Sequence, residues 1–296
     1  MIRIATRNSA LALAQARQVA EMLGAELVEV SSDGEPGDKA RFVRGVERAL
    51  LDGEAEIGVH SAKDVPAEMP DGLAIAAVPR REDAADAWVG AGTSLDDVPE
   101  GARVGTASLR RRSQLLAARP DLRVEELHGN VDTRLRKLAE GELDGIVLAA
   151  AGLRRLGRES EAAFTIPAEA MVPAAGQGAL LIQCREDDSS SREAAEAIGD
   201  ETALRELTAE RTVVALLEAT CASPIGVHAR VLSAGQAGSA ESLSIEAFVG
   251  LPDGSEWVRD RLDDDAADPT AVGVRLAERL AAAGARDILD RAEEMA

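Results

Sequence analysis

Short apolar runs alternate with amphipathic stretches over the first two thirds of the chain. Runs at 2–6, 26–30, 56–61, 73–78, 102–106, 122–127, 145–151 and 179–184 have the length and bounding polar residues of strands. Between them, residues 9–23 place Leu13, Ala16, Ala20 and Leu23 on one helical face, and 109–118 and 131–140 predict further helices. Strand–helix alternation of this kind predicts α/β architecture with mixed or largely parallel sheets. Residues 201–219 predict one long helix, capped by Asp200, with Ala203, Leu207, Val214 and Leu217 along one stripe. After Gly226 the pattern changes. Strand-like runs at 227–232, 243–249 and 256–261 form a meander around a Pro252-Asp253-Gly254 turn, and helices follow near 271–283 and 285–294. This predicts a separate α+β unit, with the acidic, serine-rich Asp187–Glu193 as a linker ahead of it. No fixed-period repeat is present.

Composition narrows the class. The 296 residues suffice for two or three domains, and 46% hydrophobic with 29% charged residues is the balance of a folded chain. Aromatics make up only 2% and tyrosine is absent, so the core must be built from Leu, Val, Ile and Ala. The net charge of −20 argues against a nucleic-acid or anionic-membrane binder, since both need a positive field. No apolar run approaches the ~18 residues needed to span a bilayer. The opening residues read as a strand rather than a secretion signal, so a cytoplasmic location is expected. The acidic, lysine-poor surface is similar to that of proteins from salt-loving (halophilic) organisms. It predicts dependence on high ionic strength, because salt screens self-repulsion. Two cysteines give no disulfide framework, and His60, His128 and His228 lack metal-ligand spacing with them, so no metal is expected.

The chemistry concentrates where apolar runs stop. Gly58-Val59-His60-Ser61-Ala62-Lys63-Asp64-Val65-Pro66 ends a strand in a hydroxyl, a lysine and a carboxylate side by side. Lysine occurs only at positions 39, 63 and 137, so the one retained here stands out. A carboxylate beside it is suited to stabilising positive charge in a substrate, or to carrying a proton. The same design recurs at Thr6-Arg7-Asn8-Ser9, at Gly105-Thr106-Ala107-Ser108-Leu109-Arg110-Arg111-Arg112 and at His128-Gly129-Asn130-Val131-Asp132-Thr133-Arg134. Ser108 and Asn130 are good N-caps. Arginines in a first helical turn meet an end that is already positive, at ~0.3–1 kcal/mol per charge. An anionic ligand would offset that cost. The alternative is that these arginines simply pair with surface carboxylates. Such pairs are worth only ~0–1 kcal/mol, too little to account for a shared position, so the anion site is favoured. Gly176-Gln177-Gly178 precedes a strand and lacks the third glycine of a dinucleotide loop. The ligand is therefore expected to carry several carboxylates. Cys184 and His60 fall within apolar strands and read as core residues. Cys221, on a turn before Pro224, reads either as filler or as an accessible nucleophile.

Taken together these stretches resemble the porphobilinogen deaminase (hydroxymethylbilane synthase) family. Ile4–Ala12, Val59–Pro66, Val104–Arg111, Gly129–Leu135, Ala151–Gly157 and Pro173–Ala179 follow in that family's order, and Cys221–Gly226 resembles its cofactor-attachment loop. The resemblance implies two periplasmic-binding-protein-like α/β domains facing a cleft, 1–78 with 176–197 and 79–175, and a smaller α+β domain over 198–296. It implies a cytoplasmic, monomeric transferase of tetrapyrrole biosynthesis that joins four porphobilinogens head to tail with loss of ammonia. A dipyrromethane on a thioether to Cys221 primes the chain, and no metal, nucleic acid or membrane takes part. Asp64 takes the catalytic role. Ser61, Lys63, Asp64, Thr106, Ser108, Arg110, Arg111 and Gly129 would hold the cofactor. Arg7, Arg134, Arg155 and His128 would hold substrate carboxylates. Three departures stand out. His128 occupies a place where the family carries arginine, the Ser31–Lys39 segment is short, and Ala219-Thr220 precede the cysteine where the family has Gly-Gly. A two-lobed carboxylate receptor without chemistry is the rival reading; a nucleic-acid binder using Arg110–Arg112 is disfavoured by charge and scarce aromatics.

Overall fold

The first strand, β1 (Arg3–Arg7), buries Ile4, Ala5 and Thr6 completely and so sits inside a sheet rather than at its edge. In the computed structural model, which describes residues 1–31, 41–232 and 241–295, the chain continues through α1 (Ala10–Leu23), β2 (Glu26–Val30), α2 (Arg41–Leu51), β3 (Ile57–Ser61) and β4 (Leu73–Ala77). It then crosses to a second lobe made of β5 (Asp86–Gly90), β6 (Arg103–Gly105), α3 (Leu109–Ala118), β7 (Arg123–Glu125), α4 (Val131–Ala139), β8 (Gly145–Ala149), α5 (Ala150–Arg155) and β9 (Phe164–Ile166). It returns to the first lobe as β10 (Leu180–Arg185) and α6 (Ser189–Glu196). The remainder is α7 (Glu201–Leu216), β11 (Ile225–Leu232), β12 (Ser242–Gly250), β13 (Trp257–Asp265), α8 (Pro269–Ala282) and α9 (Ala285–Glu294).

Three sheets result. The first has the order β2-β1-β3-β10-β4, with β1 parallel to β2 and β3, and β10 antiparallel to β3 and β4. The second has the order β7-β6-β8-β5-β9, with β6 parallel to β7 and β8, and β5 antiparallel to β8 and β9. Each mixed sheet therefore receives its antiparallel strand, β10 or β5, straight from a crossing between the lobes. The third is an antiparallel meander β11-β12-β13 against which α7, α8 and α9 pack through Val213, Leu276 and Ile288. The aromatic-poor cores are aliphatic as expected: Ile4, Val19, Ile57, Leu180 and Ile182 in the first lobe. The second lobe adds Trp88, which stacks on Phe164 at 6.1 Å and donates its indole N–H to the Ala91 carbonyl.

Several boundaries differ from expectation for identifiable reasons. Asp187–Glu193 is not a linker: Asp188 accepts from the Ser191 N–H and caps α6, which buries Ser191 and Ala195. The 145–151 run breaks at Ala149, where the chain turns into α5. Strand β5 and helix α2 are absent from the sequence-based expectation, although Val43, Val46, Ala49 and Leu50 share one buried face of α2 and Ala87, Trp88 and Val89 are buried in β5. The expected short segment at 31–39 lies, beyond Ser31, outside the described residues.

The long helix ends at Leu216 rather than 219. Glu218 N–H donates to the Ala215 carbonyl and Ala219 N–H to that of Val214, a closing motif that puts Glu218 at φ 55°. Ala219 and Thr220 do not share that conformation, so the missing glycine pair leaves the backbone undisturbed. A left-handed glutamate is unfavourable by ~1–2 kcal/mol. Glu218→Gly is therefore expected to raise stability by about 0.5–1 kcal/mol in denaturant melts, since glycine's looser unfolded chain takes back part of the gain. An unchanged or lower midpoint would contradict this.

Candidate active site

All four strand-to-helix corners open on one cavity of about 570 Å3. From the first corner come Arg7 and Ser9. The turn after β3 contributes Lys63 and Asp64, and the start of α3 contributes Ser108, Arg110 and Arg111. His128, Gly129, Asn130 and Arg134 come from the mouth of α4. Cys221 and Ser223 reach it from the loop after α7. The thiol of Cys221 is exposed, whereas Cys184 is buried in the first lobe's core.

Local sequence sets these corners. Ser9 accepts from the Ala12 N–H at 3.3 Å, Ser108 from Arg111 at 3.5 Å and Asn130 from Thr133 at 2.9 Å, so each caps the helix that follows. Gly129 sits at φ 114°, and a Cβ there would come within 2.9 Å of the Thr133 side chain. Only glycine fits that approach. Around Cys221, the Ser223 hydroxyl accepts from the Thr220 N–H at 2.9 Å and the Thr220 hydroxyl from the Ala222 N–H at 3.1 Å, which closes a tight turn.

Three predicted residues stand back from this cavity. Thr106 is buried, and its hydroxyl accepts from the Ser108 N–H at 3.2 Å. Ser61 accepts from Gln15 Nε2 at 2.7 Å and faces a side chamber of about 50 Å3 with Arg7, His60 and Asp64. Arg155 lies outside the lining; its Nη2 donates to the Gly178 carbonyl at 2.8 Å, beside the crossing. His128 lines the mouth but is mostly exposed, 3.2 Å from Glu126.

Arg110 and Arg111 are not the free clamps the sequence suggested. Both are buried and converge on Asp86 at the head of β5. Arg110 Nη1 lies 2.7 Å from Oδ2, while Arg111 Nη2 and Nε lie 2.7 and 3.0 Å from Oδ1. Burial alone would raise the Asp86 carboxyl, but the two guanidiniums overturn that and hold it well below the usual carboxylate range. The pair still carries two positive charges against one. Arg110 Nε is buried with no partner among the described residues. Burial pushes Arg134 down to about 10, helped by Arg111 nearby. Burial, again with Arg111, brings Lys63 down to about 8. Depressed bases clustered in this way mark a strongly positive interior within an acidic protein.

A second buried centre locks the third sheet to the crossings. Glu210 of α7 is fully buried and accepts from Arg81 at 2.7 and 3.1 Å, from the Gly176 N–H at 2.6 Å and from the Ala229 N–H at 2.8 Å. Burial works against its charge, but Arg81 outweighs that and holds it below the ordinary range. Arg211, next along α7, donates to the carbonyls of Val65, Pro66 and Ala67, just beyond Asp64. Sequence reading missed Asp86, Arg81, Glu210, Arg211 and Gln177. A carboxylate heading the apolar run Ala87-Trp88-Val89 was the one available clue.

The chain matches two family descriptions along most of its length. The family description "Porphobilinogen deaminase, dipyromethane cofactor binding domain" matches residues 2–193, and "Porphobilinogen deaminase, C-terminal domain" matches 204–282. The chain belongs to the porphobilinogen deaminase family. A porphobilinogen deaminase of Brevibacillus brevis is 41% identical over 304 positions, covering 97% of this chain and 96% of its own. One from Campylobacter concisus is 43% identical over 314 positions, covering 100% and 99%. Among solved structures, a TRAP periplasmic solute binding protein from Desulfovibrio salexigens is similar at TM-score 0.41 and 11% identity, covering 68% of this chain and 73% of its own. As a porphobilinogen deaminase, the enzyme builds the linear tetrapyrrole hydroxymethylbilane from porphobilinogen and uses a dipyrromethane cofactor. The cavity fits that group: it joins an exposed thiol and a surplus of guanidinium charge around open space. Among the described residues no helix is long and apolar enough to cross a membrane, and no cluster of His, Cys, Asp or Glu is placed to hold a metal.

Proposed function

We propose that Asp64 is the catalytic carboxylate of this deaminase and that Cys221 carries the dipyrromethane through a thioether. The observation supporting both is that one cavity holds the Lys63–Asp64 turn, the arginine corners and the exposed thiol together. The bound cofactor supplies the nucleophilic pyrrole carbon to which substrate is joined. The protein does the rest. Lys63, Ser108, Arg110, Arg111 and the Gly129 backbone hold cofactor carboxylates, while Ser61 and Thr106 brace the corners from beneath. Arg7, Arg134 and His128 take the acetate and propionate groups of porphobilinogen, and Arg155 supports them from the crossing. As ammonia departs, positive charge develops on the substrate. Asp64 stabilises it and moves the proton, in a site where fixed charges cost no reorganisation.

We place the domain limits at 1–78 with 176–197, 79–175 and 198–296; the grouping of the strands into three sheets supports this division. We infer a cytoplasmic monomer that binds neither nucleic acid nor membrane, on the net charge of −20, and an activity that rises with salt as self-repulsion is screened.

Intact mass tests the attachment. The purified enzyme is expected to be heavier than its sequence by a two-pyrrole unit, and Cys221→Ser to lose both that excess and tetrapyrrole formation. An adduct that survives in Cys221→Ser would place the link elsewhere.

A further inference from the structure

Lys63 has a neighbour for which the reaction as described gives no task. Gln177 lies fully buried in the second crossing, residues 167–179. Its Nε2 donates to the Ala84 carbonyl at 2.7 Å and to Asp86 Oδ1 at 2.9 Å. Both partners only accept, so the amide has a single orientation, and its Oε1 is turned to Lys63 Nζ at 3.3 Å. Its backbone is held as well: the carbonyl accepts from Arg81 Nε at 3.0 Å and the N–H donates to the Ala174 carbonyl at 2.9 Å. A line of hydrogen bonds thus runs from the Lys63 ammonium through Gln177 to Asp86 and on to Arg110 and Arg111.

We propose that Gln177 is a positioning residue. It supplies the uncharged acceptor that keeps Lys63 protonated and aimed into the cavity, and it sets that ammonium in register with the Asp86–Arg110–Arg111 cluster across the crossing. The proposal rests on the reading of Lys63 as a cationic contact for carboxylates. An amide is the group the position requires. A carboxylate would face Asp86 without a donor, and an apolar side chain would leave the Lys63 ammonium without its amide acceptor and the Ala84 carbonyl without the donor that Gln177 supplies. The charged groups facing Lys63 are Arg110, Arg111, Asp64 and Asp86; Arg7, Arg134 and His128 line the same cavity. Burial and the two guanidiniums already weaken the ammonium form, so that Lys63 is cationic below about 8 and loses its charge above it. Without the acceptor, that loss moves to lower pH.

The scarcity of lysine makes this measurable. With only three in the chain, holoenzyme labelled at the lysine ζ-nitrogen gives few amine signals, and Lys63 is the one absent in Lys63→Arg. Its midpoint is expected below the ordinary lysine value in the wild type and about one pH unit lower still in Gln177→Met. The basic limb of kcat/KM should shift by the same amount, and Lys63→Arg, whose guanidinium does not titrate there, should show neither limb nor shift. Should Gln177→Met fail to fold, Gln177→Asn draws the acceptor back by one carbon and is expected to move the midpoint in the same direction. A purely structural role would lower activity at every pH and move neither reading. A Lys63 midpoint unchanged in the folded variant overturns the proposal. A midpoint that moves while the limb stays keeps Gln177 in its role and removes Lys63 from carboxylate binding.

Discussion

Asp64→Asn is expected to keep the cofactor adduct and lower kcat by about a hundred- to ten-thousand-fold. The substitution preserves shape and removes only the charge and the proton-accepting oxygen. Asp64 faces both the main cavity and the side chamber, with Lys63 beside it in the same turn. The cavity's other carboxylate, Asp132, is paired with Arg158, and the remaining side chains gathered from the corners are mainly guanidiniums, hydroxyls and an ammonium, of the wrong sign to stabilise a cation. Because the arginines proposed to grip carboxylates are untouched, KM should change little, and the loss should appear in kcat and in ammonia release together. Turnover within tenfold of the wild type would remove Asp64 from the catalytic role.

The largest stability effect is expected at Asp86. Its carboxylate is fully buried and is the shared counter-ion of two buried guanidiniums. Asp86→Ala leaves both cations in the interior without their counter-ion, and breaking a buried pair in this way costs about 3–5 kcal/mol. Denaturant unfolding at high salt reads it, and a loss under 1 kcal/mol would show that Arg110 and Arg111 find other acceptors. The pH dependence has a definite sign. The folded carboxyl lies far below the unfolded value of 3.8, so its contribution is complete above that value. It fades only as pH falls toward the much lower folded value. Acid alone should therefore not mimic the substitution at pH 5.

How legible was this site? Strand β3 could be read because it is buried on both faces, which writes an unbroken apolar run and makes its polar stop at Ser61-Ala62-Lys63-Asp64 conspicuous. Ser108, Asn130 and Asp200 were readable as caps because capping is a matter of three neighbouring residues. Strand β5 was not, since the charged stretch Arg80–Asp86 hides its start and the charge is explained only by partners 24 and 25 residues away. The same distance effect hid the second partner of Arg110 and Arg111. Their position at a helix start was right, while their commitment to Asp86 depends on a fold that brings β5 beneath α3. Glu210 looked like one more surface acid on an amphipathic helix; only the convergence of Arg81, Gly176 and Ala229 reveals it as a keystone.

That keystone bears on how a growing product finds room. Glu210 and the thiol loop belong to one continuous stretch, helix α7 and its exit, and Glu210 is clamped to both crossings at once. A tether rooted beside a pivot travels least when the jaws part. With the oligomer carried on Cys221 as proposed, separation of the lobes as pyrroles are added would leave its sulfur end in place and open new space toward the far tip.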